Sequence, residues 1–212
     1  MEQIINLTNM NRGEKDLLRM KIWDFLDDSN LIRGSQSARG RIPNFQGAEE
    51  AALNLQMTED WHKSETIFCS PDSAQREVRE NALVDGKTLI MASPKLRDGY
   101  LLLEPDKIQS QEKLASTIKG AFKFGENVLK FPTVDLVVEG SVAVDNKGHR
   151  LGKGGGYGDQ EISHLLMVGA IDEATPRATT IHESQLVEKV PMEPHDQKLN
   201  LIVTPQRVIR II

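Results

Sequence analysis

Apolar residues recur at helical spacing near the start of the chain. Within residues 14–28, EKDLLRMKIWDFLDD, they predict an amphipathic helix that leaves Lys15, Arg19 and Asp27 largely on its polar side. A long, basic, glycine-rich loop follows, and an alanine-rich helix is predicted to begin near Gly47. The first quarter of the chain is therefore predicted to hold two helices separated by this loop.

Short apolar runs alternate with helical patterns from residue 66 to the end of the chain. Strands are predicted in TIFCS, KTLIMAS, YLLLEP, VDLVVEG, SVAVD, RATTIHES, NLIVTP and the terminal VIRII, and helices over SAQREVRENALVDG, SQEKLASTIKGAF and DQEISHLLMVGA. Strands separated by helices form βαβ units, so the pattern predicts an α/β fold with a mostly parallel sheet. Because no repeat or low-complexity linker interrupts it, residues 1–212 are predicted to form one domain.

Composition narrows the possible partners and location. The 212 residues are 39% hydrophobic and carry a net charge of -5, which argues against nucleic acid as the main partner. No apolar run approaches the roughly 20 residues that a membrane span needs. The single cysteine, Cys69, lies in an apolar run and indicates a small buried residue in a reducing compartment. We therefore predict a cytoplasmic protein without a membrane partner, and the oligomeric state stays open.

The stretch GHRLGKGGGYGDQE, residues 148–161, lies between a predicted strand pair and a predicted helix. It matches neither the P-loop nor the dinucleotide-binding pattern. Glycines nevertheless let consecutive backbone N–H groups converge on an anion near a helix start, and Arg150 and Lys153 add positive charge. Asp159 supplies a carboxylate for a magnesium ion that bridges to phosphate. The alternative is a flexible, solvated surface loop.

Three ordered motifs give the chain a family resemblance. R-x-G-x-G-x-G-Y-x-D from Arg150 to Asp159 resembles the signature of the 5-formyltetrahydrofolate cyclo-ligase (methenyltetrahydrofolate synthetase) family. Lys15 and Arg19 repeat the family's K-x-x-x-R motif. A third block resembles P-x-E-x-x-D followed by an apolar strand and threonine, and its residues are Pro191, Glu193, Asp196 and Thr204.

The resemblance implies a three-layer α/β/α, Rossmann-like fold and a ligase that uses ATP and Mg²⁺. In such a reaction the formyl oxygen of 5-formyltetrahydrofolate is phosphorylated, N10 attacks the activated carbon, and 5,10-methenyltetrahydrofolate forms as phosphate leaves. By the same resemblance Asp159 and Asp196 hold magnesium, and Arg150, Lys153 and Tyr157 are catalytic. The residues implied to bind the nucleotide are Lys15, Arg19, Arg150, Gly152, Lys153, Gly154, Gly155, Gly156 and Tyr157. Because Arg150 and Lys153 belong to no apolar stretch, replacing either by alanine is expected to weaken ATP binding and leave the fold intact.

The acceptor side of the site differs from the family pattern. Gly158 stands where a second tyrosine is usual, and residues 33–50 differ from the usual acceptor-side sequence. A pterin ring needs an apolar or aromatic slot and a carboxylate, for which the candidates are Phe45, Glu49, Glu50 and Tyr100. For Phe45 the alternative is packing ahead of the helix near Gly47. Two other functions stay open: an ATP-using paralogue acting on another small formyl or amide metabolite, for instance a thiamine-related one, and a non-catalytic nucleotide-binding module.

Overall fold

The structure is a computed structural model that describes the backbone of residues 2–108 and 110–211, and the side chains of these residues from residue 12 onwards. Its helices are α1 Glu2–Asp28, α2 Ala48–Gln56, α3 Glu59–Lys63, α4 Arg76–Val84, α5 Glu112–Ala115, α6 Ile118–Phe124 and α7 Tyr157–Met167. Its strands are β1 Thr66–Cys69, β2 Thr88–Ala92, β3 Tyr100–Leu103, β4 Glu126–Asn127, β5 Leu136–Val138, β6 Ala143–Asp145, β7 Arg150–Leu151, β8 Arg177–Thr180, β9 Leu186–Val187, β10 Leu201–Val203 and β11 Val208–Arg210.

Eight strands form the main sheet in the order β11-β10-β8-β5-β1-β2-β3-β4. Neighbouring strands from β10 to β2 are parallel, and the pairs at the two edges are antiparallel. The chain passes from β1 to β2 and β3 on one side, whereas β5, β8 and β10 lie on the other side of β1. Ligands of open α/β sheets bind beyond the carboxyl ends of the strands at such a reversal. That position lies beyond β1 and β5.

The sheet is covered on both faces. Successive residues of a strand point to opposite faces, so Ile67 packs with Val78 of α4 on one face, while Phe68 packs with Ile162 of α7 on the other. A smaller sheet in the order β7-β6-β9 also lies on the α7 side, where Val144 packs against Ile202 of β10. The layers are the predicted α/β/α arrangement. Cys69 is fully buried, as predicted.

Helix α1 presents a different face to the protein than its apolar pattern predicts. The buried apolar residues of this helix are Ile22, Trp23 and Leu26. Lys15 and Arg19 extend that face toward the N-terminus and are 6% and 9% exposed, whereas Leu17 and Phe25 are 59% and 52% exposed. The prediction that Lys15 and Arg19 lie on the helix side opposite the apolar face is therefore wrong, because Lys15 pairs with Glu193 and Asp196 and Arg19 bonds to the glycine-rich loop.

Other differences from the predicted elements are local. The helix predicted over residues 110–122 is split into α5 and α6, because the Thr117 side chain accepts a hydrogen bond from the Gly120 N–H and begins a new helix. The short strands β4, β7 and β9 carry too few residues for a recognisable pattern. None of the described helices, α1 included, combines the length and apolarity that a bilayer crossing requires.

Candidate active site

Three neighbouring parallel strands end at one place. Lys95 follows β2, Asp72 follows β1 and Glu139 follows β5, and all three line the same cavity. The backbone of Glu139 is fixed on both sides, since its N–H donates to the Ala178 carbonyl at 2.9 Å and its carbonyl accepts from Thr179 Oγ1 at 2.7 Å. The strand ends therefore hold a carboxylate rigidly at the reversal of the sheet.

The glycine loop, residues 152–156, connects β7 to α7 beside these strand ends. Gly154 and Gly156 have φ values of 105° and 69°, a backbone conformation that side chains with a Cβ rarely adopt. Gly156 is the N-cap of α7, which begins at Tyr157. The loop thus brings the free N–H groups and the positive end of the α7 dipole to the site, an arrangement that favours anions.

A cavity of about 330 Å³, the α1 cavity, lies between the glycine loop and helix α1. Its lining includes Lys15, Arg19, Arg150, Gly154, Asp159 and Asp196. These residues come from the three separate motifs of the sequence. The structure therefore brings the motifs together around one space.

The two basic residues of α1 are held in place by the rest of the site. Arg19 Nε donates to the Gly152 carbonyl at 2.8 Å and so fixes α1 to the glycine loop. Lys15 Nζ lies 2.7 Å from Glu193 Oε2 and 2.6 Å from Asp196 Oδ2. The hydrogen bond from Lys15 lowers the pKa of the Glu193 carboxyl. Both basic residues are thus paired with carboxylates that line the same cavity.

A second cavity of about 210 Å³, the carboxyl cavity, lies on the other side of the glycine loop. Its lining includes Asp72, Glu139, Arg150, Lys153, Tyr157 and Glu161. Gly152, Gly156, Arg150 and Asp159 line both cavities. The glycine loop and the start of α7 are therefore the wall that the two cavities share.

Two buried carboxyl groups lie at the carboxyl cavity. Burial raises the pKa of the Glu139 carboxyl to about 7. Burial and, next, the charge of Glu139 raise the pKa of the Glu161 carboxyl well above its ordinary value. Each carboxyl therefore opposes ionisation of the other, and the two titrate together and keep protons to higher pH than separate carboxyls do. Glu139 Oε1 is buried and has no hydrogen-bond partner among the described residues.

Arg150 connects the carboxyl groups of the two cavities. It is buried, its Nη2 lies 2.8 Å from Asp159 Oδ1, and its Nη1 donates to the Gly140 carbonyl at 3.1 Å. Burial alone lowers the pKa of Arg150, but the carboxylates of Asp159 and Glu139 outweigh it and leave the pKa raised. Removing this side chain leaves carboxylates unpaired in a buried place, which is strongly destabilising. The premise that Arg150 lies outside the buried interior is therefore wrong, and we expect its replacement to lower stability as well.

Gly158 faces the same charged groups. A Cβ at this position would lie 2.8 Å from Arg150 Nη2 and 2.9 Å from Glu139 Oε2. Real Cβ atoms do not approach other atoms so closely, so the two side chains would have to move. The glycine that stands in place of a second tyrosine therefore makes room for the Arg150–Glu139 arrangement.

Lys153 and Tyr157 lie on the side of the carboxyl cavity. Lys153 Nζ is 2.7 Å from Asp72 Oδ1, and Lys153 does not belong to the lining of the α1 cavity. The Tyr157 ring covers Gly155, where an added Cβ would lie 2.6 Å from Tyr157 Cε2. Both side chains could therefore contact a molecule in the carboxyl cavity.

The four residues considered for the acceptor line neither cavity. Phe45 is fully buried in the core beneath α1, so it packs rather than faces a ligand space. The Tyr100 hydroxyl lies 2.9 Å from His164 Nδ1, within an aromatic cluster on the α7 face. Glu49 and Glu50 are exposed on α2.

The two carboxylates assigned to magnesium both line the α1 cavity. Asp196 belongs to a group with Glu193 and His195 whose ligand atoms lie within 4.8 Å of one another. Asp159 Oδ1 accepts from the Gln197 N–H at 3.0 Å, which ties it to the neighbouring turn. Carboxylate oxygens are the ligands that Mg²⁺ prefers, but here Asp196 pairs with Lys15 and Asp159 pairs with Arg150.

Sequence reasoning missed the acidic residues of the carboxyl cavity, Asp72, Glu139 and Glu161. A signal existed for two of them. Glu139 ends the apolar run of β5, and Glu161 stands four residues before buried Leu165 on the inward face of α7. Asp72 carried no signal, because an acidic residue after a proline is ordinary in a turn.

Comparison with known proteins gives one consistent result. The sequence profile described as the 5-formyltetrahydrofolate cyclo-ligase family matches residues 11–205. A methenyltetrahydrofolate synthase domain-containing protein of Mus musculus is 36% identical over 202 residues, which are 92% of this chain and 54% of that protein. The 5-formyltetrahydrofolate cyclo-ligase of Escherichia coli K12 is 35% identical over 82 residues, 39% of this chain and 42% of that protein. The chain spans about half the length of the first of these relatives.

Solved structures agree on the fold. The NMR structure of Aquifex aeolicus 5,10-methenyltetrahydrofolate synthetase superimposes with a TM-score of 0.58 at 23% identity, covering 93% of this chain and 92% of that one. This likeness confirms the predicted three-layer α/β fold.

Proposed function

Because the chain belongs to the 5-formyltetrahydrofolate cyclo-ligase family, we propose that it converts 5-formyltetrahydrofolate to 5,10-methenyltetrahydrofolate with ATP and Mg²⁺. One observation carries the proposal beyond family membership. The glycine loop lies between a cavity lined by Lys15 and Arg19 and a second cavity that holds Lys153 and Tyr157. Arg150 and Gly156 line both cavities, so a nucleotide in one and an acceptor in the other would contact the same residues at the start of α7.

The α1 cavity is the proposed nucleotide side. Arg19 reaches from α1 to the glycine loop, whose residues lead into the start of α7, and Lys15 lines the same cavity beside Glu193 and Asp196. Charge-assisted contacts from these two residues, from Arg150 and from the loop amides would hold the phosphates. The loop residues are Gly152, Lys153, Gly154, Gly155 and Gly156.

Magnesium is proposed to bind Asp159 and Asp196 on the same side. When bound, the ion would neutralise phosphate charge. Lys15 and Arg150 pair with these two carboxylates, so the ion would share their oxygens with these cations or displace them.

The carboxyl cavity is the proposed acceptor side. ATP supplies a phosphoryl group that turns the formyl oxygen into a leaving group. Lys153 and Arg150 would neutralise charge that develops on that oxygen, and Tyr157 would position the acceptor against the loop. The neighbouring groove that contains Arg41 shares Ile42, Asp72 and Lys153 with this cavity, so a longer acceptor has room to continue outward.

The test is to mix the protein with Mg-ATP and 5-formyltetrahydrofolate and to follow the methenyl product and ADP together. We expect both to form in equal amounts. ADP release without methenyl product from another formyl or amide compound would favour the paralogue function. ATP binding without turnover of any acceptor, combined with unchanged cellular function of Asp159→Asn, would favour the non-catalytic module.

A further inference from the structure

Three basic side chains line the carboxyl cavity, and they differ in how they are paired. Arg150 Nη2 lies 2.8 Å from Asp159 Oδ1, and Lys153 Nζ lies 2.7 Å from Asp72 Oδ1. The third, Lys95, is exposed, and its side chain forms no ion pair or hydrogen bond within the part of the chain that the structure describes. Its ammonium group is therefore available to an anion in the cavity.

The loop after β2 holds Lys95 in an unusual backbone conformation. Lys95 and Leu96 have φ values of 60° and 53°, a region that residues with a Cβ rarely adopt and that persists only where the surroundings impose it. Buried Ser93 imposes it here, since its carbonyl accepts from the Leu96 N–H and its Oγ from the Asp98 N–H, each at 2.9 Å. The loop thus fixes the backbone from which Lys95 reaches the cavity. Strained segments of this kind cluster at functional sites.

Lys95 lies on the acceptor side of the proposed site. It lines the carboxyl cavity together with Lys153 and Tyr157, and it is not among the described residues that line the α1 cavity. It follows β2, whose parallel neighbour β1 leads to Asp72 on the same wall. Lys95 is therefore placed where the acceptor, rather than the nucleotide, is proposed to bind.

The proposed reaction brings new negative charge to this cavity. The formyl oxygen forms a bond to the γ-phosphorus of ATP, the bond from that phosphorus to the bridging oxygen breaks, and ADP leaves with the electron pair. The acceptor then carries a phosphate ester with about two negative charges, and its amide nitrogen becomes positive. Because carboxyl side chains already line the cavity, the phosphate needs a cation that is not yet neutralised.

We propose that Lys95 is a further catalytic residue, which contacts the phosphoryl group as it passes to the acceptor and neutralises its charge. It adds to Arg150 and Lys153 a cation without a carboxylate partner among the described residues. A lysine ammonium acts as a point charge toward phosphate oxygens, so Lys95 stays protonated and transfers no proton. The proposal rests on the proposed function, because that reaction brings a phosphoryl group to this cavity.

The first test measures binding, so it does not depend on turnover. Calorimetry compares Mg-ADP alone with Mg-ADP plus aluminium fluoride, which mimics a phosphoryl group in transfer. We expect Lys95→Ala to bind Mg-ADP within about twofold of the unchanged protein and the fluoride complex about 10-fold or more weakly. Lys95→Arg keeps the charge and should restore most of the lost affinity. Equal affinity of Lys95→Ala and the unchanged protein for the fluoride complex would overturn the proposal.

Arg97→Ala is the matched control, because Arg97 is an exposed cation of the same loop that does not line the cavity. It should bind both nucleotide forms as the unchanged protein does, and an effect as large as that of Lys95→Ala would reduce the role of Lys95 to general surface charge and so refute it. In the assay of methenyl product, Lys95→Ala should lower kcat by about 10-fold or more and leave the KM for ATP within about twofold. Failure of the unchanged protein to bind Mg-ADP contradicts the proposed function, and the role of Lys95 with it.

Discussion

At position 158 the absence of a side chain leaves room for two charged groups, Arg150 and Glu139. We predict that Gly158→Ala lowers the free energy of unfolding by about 1–3 kcal/mol, the usual cost of forcing atoms into a packed interior. Urea unfolding measures the change. Gly13→Ala in α1 is the matched control, because no described atom beyond its chain neighbours and the backbone of its own helix lies within 4 Å of the added methyl group. It should be neutral or stabilising by up to about 1 kcal/mol. Equal stability of Gly158→Ala and the unchanged protein would contradict the steric argument.

The buried Glu139–Glu161 pair makes stability depend on pH. Both pKa values are raised in the folded protein, that of Glu139 to about 7. The stability that these carboxyls provide is therefore complete below the pKa of an unfolded-chain glutamate, near 4.3. It is lost as the pH rises through 7. We expect the double variant Glu139→Gln/Glu161→Gln to gain stability relative to the unchanged protein between pH 5 and 8, compared at each pH by urea unfolding.

The control for this pH effect is Glu188→Gln, which changes an exposed carboxyl. Its stability should follow that of the unchanged protein at every pH. If the double variant also follows it, the two carboxyls do not titrate together at raised pKa values.

At the scale of elements, helix α1 both packs against the core and brings Lys15 and Arg19 to the candidate active site. Its apolar pattern predicted a helix correctly, but the inward face could not be assigned because Lys15 and Arg19 are buried through partners far away in sequence. Lys15 meets Glu193 and Asp196 only after the chain has folded. Periodicity shows which residues are apolar, but it does not show which distant residue a charged side chain will pair with.

The Lys15 contacts lead to a prediction about α1. Lys15→Ala leaves the carboxylates of Glu193 and Asp196 without their cation, so we expect a loss of about 3 kcal/mol in unfolding free energy. Lys21→Ala removes an exposed lysine of the same helix and should change stability by less than about 0.5 kcal/mol. Thermal and urea unfolding of both variants test this. Similar stability of the two variants would mean that the ion pairs contribute nothing to the attachment of α1.

For the whole molecule, the alternation of strands and helices was enough to predict a mostly parallel sheet, because parallel pairing requires crossover connections. The glycine loop could also be located from the sequence, because its residues are consecutive. The carboxyl cavity could not, because Asp72, Glu139 and Lys153 follow different elements and meet only at the reversal of strand order. The sequence likewise could not predict on which side of the loop Lys153 and Arg19 lie, because that depends on how the chain folds.

That division between the cavities predicts different kinetic effects for two basic residues. Lys153 lines the carboxyl cavity and Arg19 lines the α1 cavity. Under the proposed function, Lys153→Ala should lower kcat by about 10- to 100-fold, as expected for loss of a charge-assisted contact. Contrary to the expectation from the sequence that this change weakens ATP binding, it should leave the KM for ATP within about twofold, because Lys153 does not line the α1 cavity and a contact made only in the transition state does not affect substrate binding. Arg19→Ala should raise the KM for ATP by about 10-fold or more through loss of a phosphate contact.

Steady-state assays with varied ATP distinguish the two variants, with exposed Lys147→Ala as a control that should change neither kcat nor the KM for ATP. A rise in the KM for ATP in Lys153→Ala as large as that in Arg19→Ala would show that one cavity, and not two, serves both reactants.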